Sequence, residues 1–317
     1  LEAKSDKILI SHAPHIWGGF STGKIMYMVV FALLFPTAAS IYFFGYYAFY
    51  LILISIVTAV LTEFVIKKLR KRRFIMDGSA VITGLLFALT LPPRLPLWMA
   101  ALGSFFAIAI AKEAFGGLGY NIFNPALAGR AFLTMCFSRE MTTWVMPPYF
   151  SSDAVTGATP LGENFTNQAD KISLYKDLFF GSTGGSLGET SAMLILIGAL
   201  ILIVFRIIDW RIPLFYIGVV ALGSLLVGED VLFQVLAGGL MIGAFFMATD
   251  YVTSPVTRRG RIIFAVGLGI LTVLFRSFSN MPEGVSFSIL IMNAFAPLID
   301  KYVRLKPFGF YKRRKDA

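Results

Sequence analysis

The stretch Ser152-Asp153-Ala154-Val155-Thr156-Gly157-Ala158-Thr159-Pro160 places hydroxyls on a backbone suited to covalent modification. Gly157 and Ala158 leave the chain uncrowded, and Pro160 discourages helix beyond it. A transferase could therefore reach a threonine oxygen there, although Thr156–Thr159 taken alone also reads as an ordinary polar loop. Other chemistry-bearing residues are scattered. Arg130 stands alone inside an apolar run, where a buried guanidinium is costly and usually paired or functional; it either holds a phosphate or carboxylate or lies near the interface of a short helix. Asn124-Pro125 either breaks a helix and points amide groups at a ligand or makes a structural kink. Lys112-Glu113 and Asp250 fall near the ends of apolar runs, where interfacial anchoring accounts for them more simply than an ion path. Asp209, between Arg206 and Arg211, reads as a solvated loop charge. His12 and His15 are three apart but separated by Pro14 and lack a third ligand, so metal binding is disfavoured. The single cysteine, Cys136, makes no internal disulfide, iron–sulfur cluster or structural zinc site.

The elements that must position these groups are membrane helices. Of 317 residues, 57% are apolar types and 15% are charged, and the mean hydropathy is +0.75. A soluble domain carries about 25% charge, so a soluble enzyme, a disordered chain and a disulfide scaffold are all excluded. Ten apolar stretches can be marked, at 24–44, 46–66, 78–91, 97–115, 121–137, 191–206, 212–228, 230–248, 262–277 and 285–303. No small-residue cleavage site follows the first, which reads as a retained membrane helix. With a cytoplasmic N-terminus, 22 Lys and Arg fall inside and 5 outside. That bias places both termini in the cytoplasm and accounts for the net charge of +10 without nucleic acid.

The fold class expected is an all-α polytopic membrane protein with about ten helices. Its parts are a cytoplasmic segment at 1–23, five helices over 24–137, an extracytoplasmic loop at 138–190, five more over 191–303 and a basic tail at 304–317. An odd number of crossings per half makes the halves an inverted repeat with broken half-helices. Gly84–Pro92 echoes Gly243–Tyr251 with Ser254-Pro255, and Asn121–Ala126 echoes Asn293–Pro297. The 14 residues of 78–91 span roughly 21 Å of helix, short of the ~30 Å hydrocarbon core. That helix stops part-way at Leu91-Pro92-Pro93, with Asp77 or Ser79 capping its start, and Gly116-Gly117-Leu118-Gly119 marks a second break.

Thr156-Gly157-Ala158-Thr159 resembles the flavinylation motif, Ser/Thr-Gly-Ala-Thr, in which the last threonine carries FMN through a phosphoester bond. Asp77–Leu86, Thr90–Pro93, Asn124–Arg130 and Ser11–Ile16 resemble one family along nearly the whole chain. It comprises the D subunit of the Rnf ion-translocating electron-transport complex and the B subunit of the sodium-pumping NADH:quinone reductase. The short N-terminal region and the length resemble the Rnf protein more. The resemblance implies a ten-helix flavoprotein of the inner (cytoplasmic) membrane, carrying FMN on Thr159 at the outer face. It also implies a second, non-covalent flavin (riboflavin) in the membrane core, and coupling of ferredoxin–NAD electron transfer to Na⁺ or H⁺ transport. Candidate cofactor residues are Thr159, Thr156, Gly157, Ala158, Asn124 and Arg130. Implied partners are the A, B, C, E and G subunits of the Rnf complex, especially the flavinylated G subunit, with a flavin transferase and membrane lipid. The chain has no iron–sulfur motif or nucleotide-binding glycine loop, so NAD and ferredoxin fall to other subunits. The alternatives are a channel or transporter for a small polar solute, for which inverted repeats are usual hardware, and a scaffold for partner subunits.

Overall fold

A computed structural model describes residues 21–72, 74–145, 156–157, 168–181, 184–279 and 284–303. The helices of the first half are α1 (Thr22–Phe44), α2 (Tyr46–Leu69), α3 (Ser79–Leu89), α4 (Leu97–Ile108) and α5 (Pro125–Cys136). A short α6 (Ser138–Met141), a two-residue antiparallel pair of β1 (Trp144–Val145) with β2 (Thr156–Gly157), and α7 (Gln168–Phe180) follow. The second half holds α8 (Ala192–Val204), α9 (Arg211–Val227), α10 (Val231–Leu236), α11 (Leu240–Ile242), α12 (Arg258–Phe278) and α13 (Gly284–Tyr302). Four of them, α1, α2, α12 and α13, are long and apolar enough to cross a bilayer, at 23, 24, 21 and 19 residues. The chain is an integral membrane protein.

Several apolar runs are not continuous helices. The helix of α3 covers only 11 residues, about 16 Å. α4 widens into a π-helical turn at Ala109–Glu113 before the glycine run. The single helix expected at 230–248 is instead three pieces: α10, α11 and a π-helical turn at Gly243–Met247, with Gly238 at φ +67° between the first two. Glycine enters that left-handed conformation without the steric cost a side chain would add. Lipid offers no hydrogen bonds, so each break needs protein partners. At the end of α3, the Leu91 carbonyl accepts from the Leu187 N–H at 3.0 Å, and the Leu187 carbonyl accepts from the Ser40 hydroxyl. Ser186–Thr190 is thereby held against the α3 end, with Gly188 beside Leu89 and Ile242.

The starts are capped as sequence chemistry requires. Side chains of Ser21, Asn124, Ser191, Asp230 and Thr257 accept backbone N–H groups at the heads of α1, α5, α8, α10 and α12. For α3 the cap position is Gly78, in a left-handed conformation at φ +85°, and the Asp77 carboxylate accepts from the Ser79 N–H at 2.9 Å. Around these elements, α2 packs on α3 and α4, and α9 on α12. α4 packs on α5 as α12 does on α13, while α1 lies against α8.

The α2–α3 contact depends on Gly84. A Cβ there would sit 2.8 Å from Ile56 Cα and 2.9 Å from the Ser55 carbonyl oxygen, both backbone atoms that cannot swing aside. Gly84→Val is therefore expected to destabilise the fold by about 1–3 kcal/mol. A lower thermal unfolding temperature in detergent checks this; an unchanged one would contradict the packing.

Candidate functional site

A cavity opens between α1, α3, the head of α5, the end of α8 and the π-turn of the second half. Ile25, Val29, Ile82, Leu86, Leu202, Ile207, Phe245 and Phe246 supply apolar walls. Ser79, Thr83, Lys112, Asn121, Asn124, Thr249 and Asp250 supply the polar points. Most of these come from a helix end or a break, where backbone and side chains are free to face inward.

Asn124 is the hub of the breaks. Its Oδ1 accepts from the Ala126 N–H at 3.1 Å, which caps α5, and its Nδ2 donates to the Met247 carbonyl at 3.2 Å. Pro125 takes the first position of α5, where a missing N–H does no harm. Asn293 of α13 faces it. With the amide oriented to satisfy its neighbours, Asn293 accepts from the Asn124 N–H at 3.0 Å and donates to the Thr253 carbonyl at 3.3 Å. Asn124 and Asn293 thus meet and close both sides of the 247–253 break, although the echo itself aligns Asn293 with Asn121. Asn124 both kinks the chain and lines the cavity.

Lys112 and Glu113 are buried, contrary to the interfacial anchoring expected of them. Lys112 is 2% exposed and Glu113 1%. The Lys112 ammonium donates to Glu63 Oε2 at 2.8 Å and to Ser79 Oγ at 2.7 Å. Glu63 also pairs with Lys67 one turn along α2. The Ser79 hydroxyl in turn donates to Asp77 Oδ1 at 2.6 Å. Burial pushes the Asp77 carboxyl up, but the Ser79 hydroxyl and N–H, with Lys112 and Lys67 nearby, outweigh it and hold it below the usual carboxylate value. Basic residues after α2 serve the same region: Arg70 and Arg72 donate to the Glu113 and Gly116 carbonyls, closing the orphan end of the π-turn. Glu63 does not figure among the sequence candidates, although one signal points to it. It is the lone charge in the 46–66 run, and Lys112 is one of very few in 97–115; opposite charges in apolar helices usually find each other.

Asp209 is also corrected. Rather than being a solvated loop charge, its side chain is 14% exposed and clasps Arg211 at 3.3 Å and Arg261 of α12 at 2.8 Å. Burial raises its carboxyl, and the Arg261 and Arg211 hydrogen bonds and charges bring it net below the usual value. Asp250 lines the cavity, with its two oxygens accepting from the Val252 N–H and the Thr253 hydroxyl. Arg130 is buried in α5, about 9 Å of helix beyond Asn124, and is not part of the cavity lining. Thr156 and Gly157 form β2 and do not line the cavity. Ala158 and Thr159 lie outside the described residues, as do His12 and His15. Among the described residues no cluster of three metal-ligating side chains occurs.

A family model described as "NQR2, RnfD, RnfE family" matches residues 9–309. The chain belongs to the NQR2, RnfD, RnfE family. It is 45% identical to the D subunit of the Na(+)-translocating ferredoxin:NAD(+) oxidoreductase complex of Acetobacterium woodii, over 98% of each chain. It is also 45% identical to the D subunit of the proton-translocating ferredoxin:NAD(+) oxidoreductase complex of Clostridium ljungdahlii, over 97% of this chain and 98% of that one. The D subunit of an ion-translocating oxidoreductase complex from Methanosarcina acetivorans is 38% identical, covering 95% and 96%. Family membership covers both halves, the cavity and the threonine motif.

Two outcomes follow from the charges. Glu63→Gln leaves the Lys112 ammonium buried without its counter-charge and is expected to cost about 3–5 kcal/mol, whereas Glu63→Gln with Lys112→Gln recovers most of that loss; thermal unfolding of the two variants in detergent measures it. Asp77 and Asp209 titrate below their unfolded value in the folded state. Their contribution is complete above the ordinary value of 3.8 and is lost as pH falls through the lowered values. In Asp209→Asn, the unfolding temperature between about pH 5 and about pH 8 should shift down by a constant amount, and the gap to the parent should close only at lower pH.

Proposed function

We propose that this chain is the membrane flavoprotein component, the D subunit, of an ion-translocating ferredoxin:NAD⁺ oxidoreductase in the cytoplasmic membrane. The observation that carries the reading is similarity over nearly the full length to D subunits of ion-translocating oxidoreductase complexes from three organisms, two of them named for ferredoxin and NAD(+). Relatives named for Na⁺ and for protons are equally similar, so the coupling ion is one of these two. NAD and ferredoxin are handled by partner proteins, the A, B, C, E and G subunits in the family's scheme.

The reading includes ten membrane crossings in two inverted halves. Matching pairs support it: α2 with α4 against α9 with α12, and α4 with α5 against α12 with α13. Both termini face the cytoplasm, on the lysine and arginine bias of 22 to 5. The threonine motif then lies outside, with FMN esterified to Thr159 by a flavin transferase. A tether there replaces dilute free cofactor with a high local concentration.

A second, non-covalent flavin fits the cavity by the chemistry of its lining. Isoalloxazine is a flat, largely apolar ring with a polar edge, and the cavity offers apolar walls with donors and acceptors gathered near helix ends. Asn121 and Asn124 each keep hydrogen-bonding capacity beyond the bonds they make within the protein. Thr83 and Thr249 donate back to their own helices, at Ser79 and Phe245, and present acceptor lone pairs. Flavin when bound supplies transfer of electrons one or two at a time. Ile25, Val29, Leu86 and Phe246 exclude water from it.

The covalent assignment is tested by producing the chain with its flavin transferase and illuminating an SDS gel. A fluorescent band is expected, accompanied by an intact mass raised by FMN less water. Thr159→Ala should abolish both; a band that survives that substitution would refute the attachment site.

A further inference from the structure

We propose that Asn293 is a positioning residue for the cavity: outside the lining itself, its amide ties the head of α5 to the 247–253 break and so fixes the spacing of two walls of the binding site. This rests on the reading of the cavity as a non-covalent flavin site. Asn293 lies on α13, is 1% exposed and is not part of the cavity lining. Its Oδ1 accepts from the Asn124 N–H at 3.0 Å. Its Nδ2 donates to the Thr253 carbonyl at 3.3 Å and to the Ile289 carbonyl of its own helix at 3.2 Å.

The two walls come from opposite halves of the chain. Asn124 and Pro125 line the cavity from the head of α5, and Thr249, Asp250 and Val252 line it from the break. Between the π-turn that ends at Met247 and the Thr257 cap of α12, the chain runs as turns rather than as a helix. Its lining stretch is bracketed by Met247 and Thr253, and an asparagine holds the carbonyl at each bracket. Asn124 Nδ2 holds Met247 at 3.2 Å, and Asn293 holds Thr253. Asn124 is also the cap of α5, so the bond to its N–H bears on the direction in which that helix starts. α13 packs on both α5 and the Gly243–Met247 turn, and Asn293 thus reaches both walls from a regular helix. Asn124 and Thr253 are each 3% exposed, so bulk water does not replace either bond once the amide is gone. An apolar side chain of similar size at 293 leaves a buried N–H and a buried carbonyl unpaired. Any movement that pairs them again displaces stretches that line the cavity.

The test uses the full chain in detergent with Thr159→Ala, washed free of bound flavin, and riboflavin as the probe. The parent is expected to quench riboflavin fluorescence and to shift the visible absorption band of the ring. Asn293→Leu should weaken that affinity by about tenfold or more and move the bound spectrum toward that of riboflavin in buffer. Asn293→Ser, whose single hydroxyl is too short to reach both partners, is read in the same way where Asn293→Leu does not fold. Met292→Ala separates positioning from general loosening of α13. Met292 is buried at the adjacent position but packs on Gly267 of α12 and does not line the cavity. Its truncation should lower the unfolding temperature yet keep riboflavin affinity within about threefold of the parent. An unchanged affinity in the Asn293 variants, or an equal loss in Met292→Ala, overturns the role of Asn293 while leaving the flavin site standing. A parent that neither quenches riboflavin nor shifts its band overturns both.

Discussion

In a hydrocarbon core a backbone N–H or carbonyl that leaves its helix has no water to bond, and this constraint organises the whole molecule. The chain breaks at Leu91-Pro92-Pro93, at the 116–119 glycine run and between α10 and α11, and around these breaks protein groups take the place of water. Leu187 answers the end of α3, Arg70 and Arg72 answer the end of the first π-turn, and Asn124 with Asn293 answers the second. The same substitutions draw polar side chains inward. The cavity is thus a by-product of satisfying the breaks, and much of its polar lining is made of the residues that do so.

The buried charges follow a related logic. Lys112 and Glu63 are each too costly alone in an apolar interior, and each is held by the other. Glu63 also pairs with Lys67, so one carboxylate anchors two ammonium groups. Placing the Lys112–Glu63 pair at the head of α3, with Ser79 and Asp77 continuing the chain of hydrogen bonds, stiffens one wall of the cavity. The Asp209–Arg261 clasp is different in kind: it sits at the loop between α8 and α9 and ties that loop to α12.

Much of this is legible in the residues. The edges of the apolar runs fall within a few residues of α1 through α3, of α4 taken with its π-turn, and of α5, α8, α9, α12 and α13, because hydropathy is enforced directly by lipid. The short third segment and the glycine break are visible because proline and glycine act locally. The division of 230–248 is not, since its residues are apolar on both sides of Gly238 and only packing reveals the turn. Burial of Lys112 and Glu113 escapes the sequence for a similar reason: position along a helix does not say which face meets a neighbour.

By itself the sequence determined the membrane class, the distribution of basic residues and the threonine motif, all of which depend on residues close together in the chain. Only the tertiary structure decided that Glu63 meets Lys112 across 49 positions, and that Asn124 bonds to Met247 and faces Asn293. Pairings of that range are set by how helices pack. A helix shows its neighbours one face chosen by the whole bundle, and no local pattern of residues encodes that choice.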